Sequence, residues 1–288
     1  MFLSVDIGGS FTRIAISAGG KSIDKQSLRS KDLKKIKYET PKKYDDGIDL
    51  LVDQIEELTK GHIPKAIAVA AASPIDYEKG ILIRPPNLPN YKGHSLQKEL
   101  EIRLHTKVYL ENDGALGALG ESIKRKKSKI LGFITLSTGI GGARIVNGTI
   151  DYHALPSEPG HQILDPNGRF WPGCGQRGCF ESLGSGKAFE MTYGVKPEYC
   201  EDFRIWEEHA EIVSQGLVNV ITLWTPDTLI IGGSLVKAGA KFTKPLIELT
   251  KKKLQIYSPP KIEISKMGDD NVLLGGFLYQ TQKAHINS

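Results

Sequence analysis

The chain has 288 residues, with 40% hydrophobic and 25% charged side chains, which is enough for two packed domains of ordinary globular composition. No stretch approaches the roughly 18 uninterrupted apolar residues of a membrane span, and no signal-peptide pattern opens the chain, so a cytoplasmic protein without a membrane partner is expected. The net charge of +5 lies partly in two tracts, residues 31–37 and 124–129, which have no interleaved aromatics and read as solvated faces and not as a nucleic-acid surface.

In chain order, Phe2-Leu3-Ser4-Val5 leads through Asp6-Ile7-Gly8-Gly9-Ser10 into the run 12–17, predicting strand, glycine turn, strand, with a third strand over residues 21–24. Residues 44–58 carry apolar side chains at helical spacing behind leading acids. Strands are predicted over 65–70 and 80–84, a short helix over 95–104, and a strand over 107–110 that feeds the polar turn Glu111-Asn112-Asp113-Gly114 and an Ala/Leu-rich helix. The pattern restarts at Leu131 with three strand-like runs through residue 152, the first two joined by Ser137-Thr138-Gly139-Ile140-Gly141-Gly142. Residues 156–186 come next, rich in Gly, Pro and Cys and without either period. The remainder reads as a helix over 206–224, a strand over 228–231, the turn Gly232-Gly233-Ser234, a helix over 242–254, a strand over 261–264 and a last helix over 271–283. Strands alternating with helices predict an α/β architecture. A domain break near residues 113–130, without a flexible linker, predicts a hinged pair with a cleft.

The tripeptide Ile-Gly-Gly thus occurs twice, at Ile7-Gly8-Gly9 and Ile140-Gly141-Gly142, each beside a strand-like run. Glycine turns with exposed N–H groups suit a duplicated phosphate clamp, and hydroxyls at Ser10, Thr12, Ser137 and Thr138 add to it. Either copy alone also reads as an ordinary hairpin turn. Neither is a P-loop or a dinucleotide fingerprint: Gly20-Lys21-Ser22 has Ala15 where the leading glycine belongs, and Gly139-Ile140-Gly141-Gly142-Ala143-Arg144 lacks the final glycine and opens a strand.

Asp6-Ile7-Gly8-Gly9-Ser10, Asn87-Leu88-Pro89, Glu111-Asn112-Asp113, Thr138-Gly139-Ile140-Gly141-Gly142, Glu158-Pro159-Gly160-His161, Cys174-Gly175-Gln176-Arg177-Gly178-Cys179-Phe180-Glu181 and Leu274-Gly275-Gly276 together, in this order, resemble the ROK family of sugar kinases and repressors. The resemblance implies two ribonuclease-H-like, actin-like ATPase domains around a central cleft. The first would span 1–115, completed by the C-terminal helix at about 271–288, and the second 116–270. It implies Asp113 as general base toward a sugar hydroxyl; the same carboxylate at a strand-to-helix junction also fits an N-cap. Asp6 is implied to hold Mg²⁺ through water and, with Gly8, Gly9, Ser10, Thr12, Thr138, Gly139, Gly141, Gly232 and Gly233, to contact ATP. Asp6 would otherwise satisfy turn amides, and the Gly232-Gly233 turn would otherwise be a plain connection.

Asn87, Asn112, Asp113, Glu158, His161 and Glu181 are implied to bind the sugar. The activity expected is ATP-dependent phosphorylation of the 6-hydroxyl of N-acetylmannosamine or glucose, with fructose or N-acetylglucosamine as alternatives, in a homodimer. A non-catalytic sugar sensor is the other class; a repressor would need a DNA-binding segment before Asp6. Many family members hold zinc with three cysteines and the histidine of this loop. Here His161, Cys174 and Cys179 remain and Pro172 stands where the first cysteine would be, so zinc is not expected. Cys200 is the alternative fourth ligand, and Phe170, Trp171 and Phe180 would pack the loop without metal.

Overall fold

The computed structural model describes residues 1–17, 33–71, 74–85, 87–151, 156–268 and 270–286. The chain divides into two compact units, one formed by residues 1–123 with the C-terminal helix Asp270–Ile286, the other by residues 124–151 and 157–268.

In the first unit, apolar alternation around the glycine turn makes the hairpin β1 (Phe2–Ile7) and β2 (Phe11–Ser17), with Asp6 opposite Arg13. The strand expected over 21–24 lies outside the described residues. The third strand described is β3 (Leu33–Glu39), which takes in most of the first basic tract. Its lysines 34, 35 and 37 face solvent while Leu33, Ile36 and Tyr38 turn inward, and charge on such a sheet edge discourages pairing with other chains. Helix α1 (Tyr44–Thr59) buries Ile48, Leu51, Val52, Ile55 and Leu58 along one stripe. Strand β4 (Ala66–Ala71) is buried throughout, as a central parallel strand must be. The predicted strand over 80–84 shrinks to one arm of a small hairpin, β5 (Ile75–Asp76) and β6 (Ile81–Leu82). Helix α2 (Leu96–Leu104), strand β7 (Val108–Asn112) and helix α3 (Asp113–Ser122) complete the run. The sheet order is β3-β2-β1-β4-β7, with β4 and β7 parallel to β1. The units divide after Ile123 and not after residue 115, because small residues along α3 pack closely against the C-terminal helix.

The second unit repeats this plan. Strands β8 (Ile130–Leu136), β9 (Ile140–Val146) and β10 (Thr149–Ile150) form an antiparallel meander. The stretch over 156–186, which has no sequence period, carries a 3₁₀ turn at Pro159–His161, the ribbon β11 (Phe170–Trp171) and β12 (Gln176–Arg177), and helix α4 (Phe180–Gly184). Helix α5 (Gly186–Tyr193) is a further element that the sequence did not announce. Helix α6 (Phe203–Trp224), capped by Asp202, packs on α7 (Ala240–Lys253), and β13 (Thr228–Gly232) and β14 (Lys261–Ile264) extend the sheet in parallel. Its order is β10-β9-β8-β13-β14. The C-terminal helix, α8, returns to the first unit, where Gln280 Nε2 donates to the Leu3 carbonyl at 2.6 Å. Among the described residues no helix is long and apolar enough to cross a membrane.

Candidate functional site

In the first unit the turn after β1 gathers Asp6, Gly8, Gly9, Ser10 and Asn87. Gly9 is required by close approach: a Cβ there would lie 2.2 Å from the Cβ of Asn87. Ser10 and Asn87 are exposed, while Asp6 is buried and ion-paired to Arg13. Thr12 is placed otherwise than expected of a phosphate contact. Its hydroxyl is buried 2.9 Å from that of Thr40, and Thr40 donates to the Gly8 carbonyl at 2.7 Å. The single proton of Thr40 is thereby used, so Thr12 donates to Thr40, and the relay fixes the turn from behind. Lys42 reaches the same turn, donating to the Gly9 carbonyl.

The cap of α3 is Asn112 and not Asp113: Asn112 Oδ1 accepts the Ala115 N–H at 3.2 Å. Asp113 is the first helical residue and accepts the Gly114 N–H at 2.8 Å. Burial and then the charge of Asp6 push its carboxyl up from 3.8 to about 6, while the Gly114 and Asp113 amides and Arg13 pull it down. A carboxyl set near 6 suits general-base chemistry near neutral pH.

In the second unit the turn between β8 and β9 is Ser137-Thr138-Gly139, and Gly141 and Gly142 lie within β9. The two Ile-Gly-Gly tripeptides therefore are not equivalent in the fold: the first ends a strand and enters a turn, whereas the second begins one. Thr138 is exposed. Glu181, at the start of α4, accepts the Ile140 N–H at 2.9 Å through Oε2 and the Trp171 indole N–H at 2.8 Å through Oε1. Both carboxylate oxygens thus brace the turn. The N-terminus of α5 adds Gly186 N–H to the Ser137 carbonyl at 2.7 Å, and Ser137 Oγ accepts the Ser234 N–H at 3.0 Å. Gly232 closes β13, and Gly233 adopts φ 93°, where a Cβ would lie 2.2 Å from the Leu136 carbonyl oxygen. A 3₁₀ turn, Leu235–Ala238, separates Gly233 from α7, so the glycine turn does not open an α-helix directly.

Glu158 precedes, and His161 ends, the 3₁₀ turn that packs on β9. Ligand atoms of His161, Cys174 and Cys179 all lie within 4.8 Å of one another, with the two sulfurs 3.7 Å apart. Burial pushes the Cys179 thiol up, and His161 Nδ1 is buried without a partner among the described residues. A closed structural zinc site takes four ligands, and exposed Pro172 supplies none, so the described residues do not complete one. Cys200 does not join them: it packs in the core with Phe189 and Trp206, its sulfur directed at the Asp202 carbonyl. Trp171 and Phe180 are buried as expected of packing residues, but Phe170 is about half exposed.

Arg13, Thr40, Lys42 and the bracing role of Glu181 are not apparent from motifs. Arg13 alone had a signal, since counting back across the glycine turn pairs it with Asp6.

The glucokinase of Thermotoga maritima is 28% identical over 85% of this chain and 86% of that protein. The N-acetyl-D-glucosamine kinase of Salmonella typhimurium is 28% identical over 98% of this chain and 100% of that protein. Among solved structures, the ROK family glucokinase of Streptomyces griseus in complex with glucose and AMPPNP superposes with a TM-score of 0.80 over 98% of this chain and 99% of that chain, at 22% identity. Such neighbours have the two-domain actin-like ATPase fold seen here as two sheets of identical strand order. The sequence model of the ROK family matches residues 2–283, and the chain belongs to that family.

Proposed function

We propose that the chain is an ATP-dependent sugar kinase that transfers the γ-phosphate to the 6-hydroxyl of an aldohexose or its 2-acetamido derivative, with Asp113 as general base. The observation that carries this reading is Asp113 itself, a half-buried carboxylate at the start of α3 whose acidity is set near 6 by burial and by Asp6. The sugar O–H donates to Asp113, the oxygen attacks the γ-phosphorus in line, and ADP leaves; such a transfer asks chiefly for positioning and charge neutralisation. Asp6 would hold Mg²⁺ through water, and the buried carboxylate fits an ion that takes few protein ligands. That ion, when bound, neutralises charge on the phosphates. The amides around Gly8, Gly9 and Ser10, and those around Thr138 and Gly139, are assigned to phosphate oxygens. Asn87, Asn112, Glu158 and His161 are assigned to the sugar hydroxyls, whereas Glu181, whose two carboxylate oxygens brace the turn at 137–140, is assigned to hold that turn.

Glucose is the substrate best supported, by the glucokinase relatives, and N-acetylglucosamine is second because of the Salmonella kinase. N-acetylmannosamine shares the same contact residues and takes third place. An ATP-coupled assay over glucose, mannose, fructose, N-acetylglucosamine and N-acetylmannosamine tests the reading. Turnover on one hexose at least tenfold above the rest is expected, and no turnover on any of the five would leave a sugar sensor as the better account.

A further inference from the structure

Glu111 precedes Asn112 and Asp113, and no part of the proposed chemistry uses it. Its side chain is 6% exposed, near the end of β7. Oε1 accepts the Tyr77 hydroxyl at 2.6 Å and the peptide N–H of Asn112 at 2.8 Å. Tyr279 of α8 bonds the same carboxylate, and burial together with the Glu111 charge holds that phenol protonated, so it donates. The Tyr279 ring also meets Tyr109 edge-on at 6.4 Å. Among the described residues no lysine or arginine pairs with Glu111. A buried carboxylate without a counter-ion is costly unless donors converge on it. Here three converge, from the β5–β6 hairpin region, from the C-terminal helix and from the next peptide.

Packing alone does not call for a charge at this point, where an apolar residue would fill the space without the desolvation cost. What the carboxylate adds is a fixed acceptor for one particular backbone N–H, that of the residue capping α3. That bond sets the path by which the chain leaves β7, and Asp113 is the next residue along it.

We propose that Glu111 is a positioning residue: its carboxylate, held by Tyr77 and Tyr279, pins the Asn112 peptide and so aims Asp113. The proposal rests on Asp113 being the base. Misplacement of a reacting group by about 1 Å costs roughly 100-fold in rate. In the full-length protein, E111A should therefore lower kcat by about 100-fold per sugar-binding site, counted by calorimetry, with KM for sugar and ATP within about twofold. E111Q keeps an oxygen that can accept both donors to Oε1 and should recover most of that loss. Y77F, which removes one partly exposed hydroxyl, should lower kcat about threefold to tenfold.

A merely structural role would reduce the melting temperature and the number of binding-competent sites while leaving kcat per site intact. That outcome overturns the proposal, as does full activity in Y77F. If E111A does not fold, E111Q and Y77F decide. An inactive D113N beside a fully active E111A rejects the brace and keeps the base; an active D113N rejects the base itself.

Discussion

The hairpins that open the two units share strand order and direction, yet hold their turns by different chemistry. In the first, a buried hydroxyl relay from Thr12 through Thr40 to the Gly8 carbonyl supports the turn, and the charged groups Asp6, Arg13 and Asp113 crowd beside it. In the second, a carboxylate, Glu181, ties the turn to Trp171, and helix-end amides cover its carbonyls. The interior of the second unit is correspondingly neutral. His209 of α6 is fully buried among Phe189, Tyr193, Trp206 and Phe242, donates Nε2–H to the Gly184 carbonyl at 3.0 Å, and is pushed down from 6.5 to about 4 by burial. One topology thus accommodates a turn held by neutral hydroxyls beside charged groups and a turn held by a carboxylate, because the sheet fixes only where the turns lie.

The strongest break of this comparison is D113N. It keeps shape and hydrogen bonding but removes the proton acceptor, so turnover should fall by roughly 10²–10⁴ while sugar binding survives. Steady-state kinetics with calorimetry checks it, and wild-type kcat should show an acidic limb near pH 6. The folded Asp113 keeps its proton to a higher pH than the unfolded chain does. Its contribution to stability is therefore complete below 3.8 and lost as pH rises through 6. D113N should melt higher than the wild type at pH 8, with the gap closing below pH 4.

The second unit should respond with the opposite sign. Unfolded His209 takes up a proton below 6.5, whereas the folded residue resists until about 4, so stability falls as pH drops across that window. The loss is on the order of 3 kcal/mol at about 1.4 kcal/mol per unit. Urea titrations at several pH values should show this slope flattened in H209Q, which keeps a donor for Gly184; an unchanged slope would assign it to other groups.

Next in size is the relay. T40V leaves the Thr12 proton without its acceptor and removes the donor to Gly8, and should cost about 1–3 kcal/mol by chemical denaturation. The double variant T12V/T40V should recover part of this, because no buried donor is then stranded; additivity of the two losses would refute coupling. The smallest effect is expected for E181Q, which leaves an amide NH₂ facing one of its two donors. If Glu181 acts through its turn, KM for ATP rises roughly tenfold and KM for sugar rises less. A larger rise for sugar would return Glu181 to direct sugar contact.

Much of this was legible without coordinates. Alternation around Gly8-Gly9 marked the first hairpin, the apolar stripe from Ile48 to Leu58 marked α1, and the order of short motifs pointed to the family. The first two signals lie within about 20 residues, where backbone period and turn chemistry act, and the third is a string of such local motifs along the chain. The sequence by itself therefore determined the α/β alternation, the repeated strand–turn–strand plan and the residue types offered at each turn.

Tertiary structure alone decided which side chains meet. Thr12 finds Thr40 28 residues away, Glu111 finds Tyr77 34 away, and Ile140 finds Glu181 41 away. It also separated two identical tripeptides, placing Gly8-Gly9 at a turn and Gly141-Gly142 in a strand, and it brought His161 to Cys174 and Cys179 while leaving Cys200 in the core. The physical reason is that local pattern sets backbone period, whereas the partner of a buried polar group depends on which distant segment the packed sheet brings against it, and nothing within the local window encodes that distance.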